Sequence, residues 1–230
     1  CLDHHTNKEM NLHIYKNPEE TSLALAEWIT TSIESRLRES DRFTWVLTGG
    51  GSPKRLYELL ASPGYKERID WNRLHIFWGD ERAVPFEDDR NNARMTYQYL
   101  LNRVPVVKSQ VHIMNTAVSP EQSAADYQKI LQKYFTNTGN SFDLVLSGMG
   151  DDGHTLSLFP HTEVINEKYA WVKSFYLEPQ QMHRITLTAP IVNRARKIAF
   201  LTFGANKANA LKEVLQGEKN VAQYPSQIIQ

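Results

Sequence analysis

The sequence predicts an α/β fold with a mostly parallel sheet covered by helices on both faces. Two observations carry this. Short runs rich in Val, Ile and Phe alternate along the chain with amphipathic helical segments, the pattern of parallel βαβ units. In addition, three helix starts share one signature, a capping residue followed by proline: Asn17-Pro18, Ser52-Pro53 and Ser119-Pro120. Proline suits the first helical position because its missing N–H would be unpaired there anyway.

In chain order, Leu12–Lys16 reads as the first strand, followed by the helix that Asn17 opens. Leu23, Ala26, Ile29, Ile33 and Leu37 recur in that helix at spacings of three and four. Strands at Phe43–Thr48 and Leu74–Trp78 follow, with a helix start at Ser52 between them. The helix after Ser119 places Ala124, Tyr127, Leu131 and Tyr134 on one stripe. Glu20 and Gln122 stand three residues after Asn17 and Ser119, as in a capping box. The remaining strands are Phe142–Ser147, Trp171–Tyr176, Arg184–Thr188 and Lys197–Phe203. Ala61–Asp70 and Arg103–Gln110 read as the boundaries of insertions. The chain shows no repeat, low-complexity tract or clear linker, so residues 10–230 are expected to form a single domain.

Composition narrows the function. The 230 residues carry 26 basic and 26 acidic side chains, so there is no charge footprint for nucleic acid or an anionic membrane. An anion must be held by a local site. The longest apolar stretches, such as Ile198–Leu201, fall far short of the roughly 18 residues of a membrane helix. Cys1–Glu9 is polar and reads as a leader ahead of Met10, with no apolar core of a signal peptide. Cys1 is the single cysteine, which excludes an internal disulfide and any CxxC site. A reducing, cytoplasmic setting is the expectation.

Ligands of an open parallel sheet bind beyond the carboxyl ends of its strands. Four predicted strands run there into unusual sequence: Thr48–Lys54, Gly79–Arg82, Gly148–His154 and Gly204–Lys207. Gly49, Gly50 and Gly51 followed by Ser52 let backbone N–H groups approach a ligand at a helix start, an anion site. The alternative is a tight turn without a ligand. Lys54 and Lys207 each fall in the first turn of a helix, where a cation opposes the dipole unless an anion is bound or the side chain points to water. Asp80-Glu81-Arg82 offers a guanidinium for bidentate anion contacts, with carboxylates to order it or to hold hydroxyls; a solvated charge cluster is the competing reading. His154 ends a Gly-x-Gly-x-x-Gly-His loop and is the candidate base, because an imidazole exchanges protons near neutral pH. Asp152 lies close enough to orient its ring. His75 and His112 sit inside apolar runs and read as core or edge histidines. No HExxH or comparable spacing points to a metal, and no GxSxG to a serine hydrolase.

These residues carry a resemblance. Leu47–Lys54, Asp80–Pro85 with Asn91, Gly148–Pro160 and Arg184–Thr188 together resemble the 6-phosphogluconolactonase family, in order along the chain from about Leu12. The Gly-Met-Gly-x-Asp-Gly-His-Thr-x-Ser-Leu-Phe-Pro block is the most specific part. The resemblance implies a three-layer α/β/α, Rossmann-like fold shared with glucosamine-6-phosphate deaminases. It also implies hydrolysis of 6-phospho-D-glucono-1,5-lactone to 6-phosphogluconate in the pentose phosphate pathway, without metal or cofactor. His154 then activates water with Asp152 beside it, and Gly49–Ser52, Arg82 and Lys207 form the phosphate and sugar cradle. Three departures stand out. Gly51-Ser52 replaces the family's Ser-Thr, Arg90 replaces a frequent serine, and the family domain continues beyond Gln230 into a further strand and short helix.

Two other functions compete. A glucosamine-6-phosphate deaminase resembles Met-Asp-Glu-Tyr in the second motif and keeps an acidic residue after the histidine; here those places read Gly79–Arg82 and Thr155–Pro160. A sugar-phosphate sensor needs a DNA-binding module, and the polar residues ahead of Leu12 hold none.

Overall fold

The structure, a computed structural model, describes residues 11–204, 207–216, 219–221, 223 and 225–229. Helix α1 (Pro18–Leu37) leads into β1 (Phe43–Leu47), followed by α2 (Lys54–Leu60), the short α3 (Pro63–Lys66) and β2 (Leu74–Trp78). Then come β3 (Asp80–Arg82), α4 (Asn92–Tyr99), α5 (Pro120–Phe135) and β4 (Leu144–Gly148). The chain finishes with β5 (Val172–Leu177), β6 (Met182–Leu187), α6 (Ala189–Val192), β7 (Lys197–Leu201) and α7 (Ala208–Gln216).

A four-stranded sheet in the order β2-β1-β4-β7 is parallel throughout. Alternate residues of its strands point to opposite faces, and the core divides accordingly. Trp45, Leu47, Ile76, Trp78, Leu144 and Leu146 pack with Ala26, Ile29 and Ile33 of α1, Leu56 and Leu60 of α2, and Ala93 of α4. Val46, Phe77 and Val145 pack on the other face with Ala124, Tyr127, Leu131 and Phe135 of α5. The sheet is thus flanked by helices on both faces, as expected.

The second face carries more than helices. A three-stranded antiparallel sheet, β3-β6-β5, packs there, with Val172, Ile185 and Leu187 in the same cluster. β5 and β6 are therefore a hairpin outside the parallel sheet, and Asp80–Arg82, read from sequence as a loop, is a strand. Gly79 joins the two sheets. Its N–H donates to Leu47 O (3.2 Å), extending the parallel ladder, while its carbonyl accepts from Leu187 N (2.9 Å). A Cβ at Gly79 would meet Leu156 Cδ2 at 2.5 Å, so a side chain there would have to displace Leu156.

The expected strand at Leu12–Lys16 is absent. That segment forms no ladder among the described residues, and Leu12 and Ile14 are exposed. An extended segment needs a partner for its backbone groups, and alternation alone supplies none. Two of the three helix caps form as read. Asn17 Oδ1 accepts from Glu20 N (2.8 Å) and Ser119 Oγ from Gln122 N (3.1 Å). The capping boxes stay half closed, because Glu20 accepts from Lys16 N and Gln122 donates to Asp126. At α2 the N-cap is Pro53 and Ser52 makes no capping bond.

Asp143 anchors the amino edge of the sheet. Its buried carboxylate accepts from Thr44 N (2.8 Å), Thr44 Oγ1 (3.1 Å) and Arg36 Nε of α1 (2.8 Å). Asp143→Ala should leave the buried Thr44 N–H unpaired, at a cost of about 1–3 kcal/mol. A lower urea midpoint with an unchanged m-value is the expected result, and an unmoved midpoint would remove Asp143 from the stability of this edge.

Candidate functional site

The strand registers bring the polar loops together. β1 and β2 end side by side at Leu47 and Trp78, and β4 and β7 at Gly148 and Leu201. The loops at Thr48–Pro53, Gly79, Gly148–His154 and Gly204–Lys207 therefore leave the same carboxyl edge. Ala205 and Asn206 lie outside the described residues.

Tyr57 of α2 fixes the glycine loop at its root. The buried phenol donates to Thr48 O (2.5 Å) and accepts from Thr48 N (3.0 Å). Gly50 takes the left-handed conformation (φ 84°) that glycine tolerates. A Cβ on Gly49 would collide with the Asn92 side chain, whereas Gly51 faces open space. Gly51, Ser52, Arg55 and Phe203, with Pro18, Glu19 and Ser22 at the start of α1, line a groove of about 680 Å³, so the loop, α1 and the residues just after β7 border a common cleft.

Asp80 and Glu81 are buried, which rules out a solvated charge cluster. Glu81 accepts from the backbone N–H groups of Arg82 (2.8 Å), Asn92 (2.8 Å) and Ala93 (3.0 Å), and so holds the start of α4. Burial pushes its carboxyl up to about 7, against the pull of those three donors. Asp80 accepts from Ser157 Oγ at 2.5 Å and lies 3.8 Å from Arg184 Nη1. Asn92 Nδ2 donates to Asp80 O (3.2 Å).

Asp80, Arg82, Arg184 and Thr186 share one face of the antiparallel sheet, since Asp80 opposes Thr186 and Arg82 opposes Arg184. Arg184 donates to Gln180 Oε1, and Arg82 Nη1 to Arg90 O (2.9 Å). Both Nε atoms are buried and lack a partner among the described residues. Burial lowers the Arg184 pKa; Asp80 opposes that shift and Arg82 adds to it. Two adjacent guanidinium groups with unused donors favour an anion.

His154 lies on the neighbouring loop. Its Nδ1 is 2.5 Å from Asp152 Oδ1, and its backbone N–H donates to the same oxygen at 3.0 Å. Burial raises the Asp152 carboxyl, but the hydrogen bonds from the His154 ring and backbone outweigh it and hold the group below its usual range. With Asp152 ionised, the neutral form of the ring that fits this contact carries its proton on Nδ1, which leaves the lone pair on Nε2. The ring stacks on Phe159, with centroids 4.1 Å apart and planes 18° from parallel. Arg184 Cζ in turn lies 5.3 Å from the Phe159 centroid. Gly153 is left-handed (φ 81°), and a Cβ on Gly150 would overlap the imidazole.

Contacts therefore run from Gly49 through Asn92, Asp80 and Arg184 to Phe159 and His154, with Arg82 beside Arg184. Lys207 immediately precedes α7, with its N–H on Gly204 O (3.3 Å). Lys54 Nζ lies over the Tyr99 ring, 5.1 Å from its centroid.

Residues 16–230 match the family model described as glucosamine-6-phosphate isomerases/6-phosphogluconolactonase. The chain belongs to this family. A 6-phosphogluconolactonase from Synechocystis sp. is 39% identical over 208 residues, covering 88% of this chain and 83% of the relative. The solved 6-phosphogluconolactonase of Thermotoga maritima superposes with a TM-score of 0.82 at 28% identity, covering 95% of this chain and 93% of that one. That of Trypanosoma brucei gives 0.83 at 26% identity, covering 96% and 92%.

Within this glucosamine-6-phosphate isomerase/6-phosphogluconolactonase fold, sequence reasoning assigned no part to Asn92, Ser157, Phe159 or Arg184. Ser157, Phe159 and Arg184 stand inside motifs that carry the resemblance, and that was their available signal. Asn92 had none, because its contact with Gly49 joins the start of α4 to a loop distant in sequence. His75 and His112 both reach Tyr134 Oη, at 2.6 and 2.9 Å, in a polar cluster beneath α5.

The raised Glu81 pKa fixes a sign. A carboxyl that holds its proton more tightly when folded stabilises most below its unfolded value, near 4.5. That contribution is lost as pH rises through about 7. The stability of wild type relative to Glu81→Gln should therefore fall between pH 4.5 and 7 in urea titrations. A flat difference would mean that Glu81 is ionised throughout.

Proposed function

We propose that this protein hydrolyses 6-phospho-D-glucono-1,5-lactone to 6-phosphogluconate, the lactonase step of the pentose phosphate pathway. The observation that carries the reading is the His154–Asp152 pair at 2.5 Å, set at the carboxyl edge beside the Arg82–Arg184 face. Family membership supplies the substrate class, and the residues supply a chemistry for it.

Asp152 fixes the tautomer, so His154 Nε2 is free to act as base. A water held there gives up its proton as its oxygen bonds to the lactone C1. The tetrahedral intermediate breaks its bond to the ring oxygen, which takes the proton back from the imidazolium, and the new carboxylic acid ionises. One water is consumed and no electrons are transferred, so the step calls for no redox cofactor. The backbone of Gly49, Gly50 and Gly51, Ser52, Arg82 and Lys207 are assigned to the phosphate and sugar.

A deaminase reading fits the site less well. The residues after His154, from Thr155 to Phe159, are buried and none is acidic. We read residues 10–230 as one domain, since both hydrophobic layers share the same four strands. No helix among the described residues is long and apolar enough to cross a membrane. A cytoplasmic location accompanies the reading.

Unphosphorylated gluconolactone should be a poor substrate. Hydrogen bonds to charged groups contribute about 1.5–3 kcal/mol each, so losing two should lower kcat/KM by about a hundredfold or more. Comparable rates on both lactones, after subtracting spontaneous opening, would overturn the phosphate assignment.

His154→Ala should lower kcat by about 10²–10⁴ with product affinity retained, the usual contribution of a positioned general base. His154→Gln should not restore the rate, because an amide cannot accept the proton. A folded His154→Ala protein with most of its kcat would leave the base elsewhere.

A further inference from the structure

The carbonyl of Gly153 belongs to the peptide that carries His154. It accepts two hydrogen bonds from one distant residue: Ser226 N at 3.0 Å and Ser226 Oγ at 2.7 Å. Ser226 is buried and sits in the helical turn Pro225–Ile228. The other bonds around this peptide close within the loop itself. Gly153 N donates to Gly150 O (3.0 Å), Gly150 N to His154 O (2.9 Å) and His154 N to Asp152 Oδ1 (3.0 Å).

A left-handed glycine followed by a peptide held only from inside its own turn can rotate that peptide plane, because glycine tolerates either orientation. Such a rotation swings the His154 Cα–Cβ bond and carries Nε2 away from the substrate. Two bonds converging on one carbonyl oxygen from a separate, buried segment oppose it. That segment follows α7, the helix that begins just after Lys207, so one stretch of chain borders both the proposed phosphate end and the histidine loop.

We infer that Ser226 is a positioning residue for the reaction, holding the Gly153–His154 peptide so that the imidazole presents Nε2 to the attacking water. The inference rests on the lactonase reading for its kinetic consequence, but its structural part concerns the His154 ring alone. Misplacing a catalytic group by about 1 Å costs about a hundredfold in rate, and losing one of two anchors should cost part of that.

Ser226→Ala should therefore lower kcat about tenfold on the phosphorylated lactone with KM unchanged within twofold, and Ser226→Thr, which keeps the hydroxyl, should restore most of the loss. Nitrogen-15 spectra of the ligand-free enzyme should show a single Nδ1-protonated His154 ring in wild type and averaged or doubled ring signals in Ser226→Ala. If alanine unfolds the turn, Ser226→Cys keeps the volume with a weaker donor and is read by the same two measurements. Unchanged His154 ring signals together with an unchanged kcat would overturn the inference, as would a loss confined to KM. If wild type shows no lactonase activity, the functional reading fails by itself, and the ring spectra still decide the role of Ser226.

Discussion

The site depends on two adjacent buried carboxylates, Asp80 and Glu81. Withdrawing such groups from water is costly unless donors replace the lost hydration, and here each recruits them from other parts of the chain. Glu81 collects the first N–H groups of α4, where the helix dipole also favours negative charge. Asp80 takes the Ser157 hydroxyl from the loop that carries His154 and lies beside Arg184 of β6. Asn92, placed by Glu81, then fills the space that a side chain at Gly49 would need. The glycine loop, α4, the histidine loop and the small sheet are thus registered against one another through a pair of acids that need not touch substrate.

This division leaves the neighbouring arginines and the histidine less committed to the fold. Structural charge is neutralised inside the protein by Asp80, Glu81 and their donors, whereas Arg82 and Arg184 each keep a buried N–H without a partner among the described residues. The histidine is held on several sides, by Asp152 at Nδ1, by Phe159 on its face and by Gly150 in the turn. On the proposed lactonase reading, such contacts would orient the imidazole before substrate arrives, which is what makes a general base effective.

Much of this was legible in local sequence, and the misses share a cause. The helix stripes of α1 and α5 and the caps at Asn17 and Ser119 depend on neighbours three or four residues away, so they are written in short windows. Leu12–Lys16 alternates like a strand, yet a strand also needs a partner, and none lies beside it among the described residues. Asp80–Arg82 reads as a polar loop because three charged residues carry no strand propensity. It becomes a strand because β6 lies alongside it and gives its backbone a ladder. β5 and β6 were legible as strands, but not their antiparallel pairing or their place outside the parallel sheet, since both are set by what packs across the second face.

By itself the sequence determined the α/β class, the order of most elements, the polar and glycine-rich loops after the strands and the family motifs, because these follow from periodicity, capping and residue type along a short stretch of chain. Only the tertiary structure decided which polar groups are spent on the fold and which remain free. Whether a carboxylate caps a helix, as Glu81 does, or orients an imidazole, as Asp152 does, depends on donors brought in from elsewhere in the chain or aimed by a turn. A buried charge takes its role from the donors around it, and those are assembled only when the strands have paired.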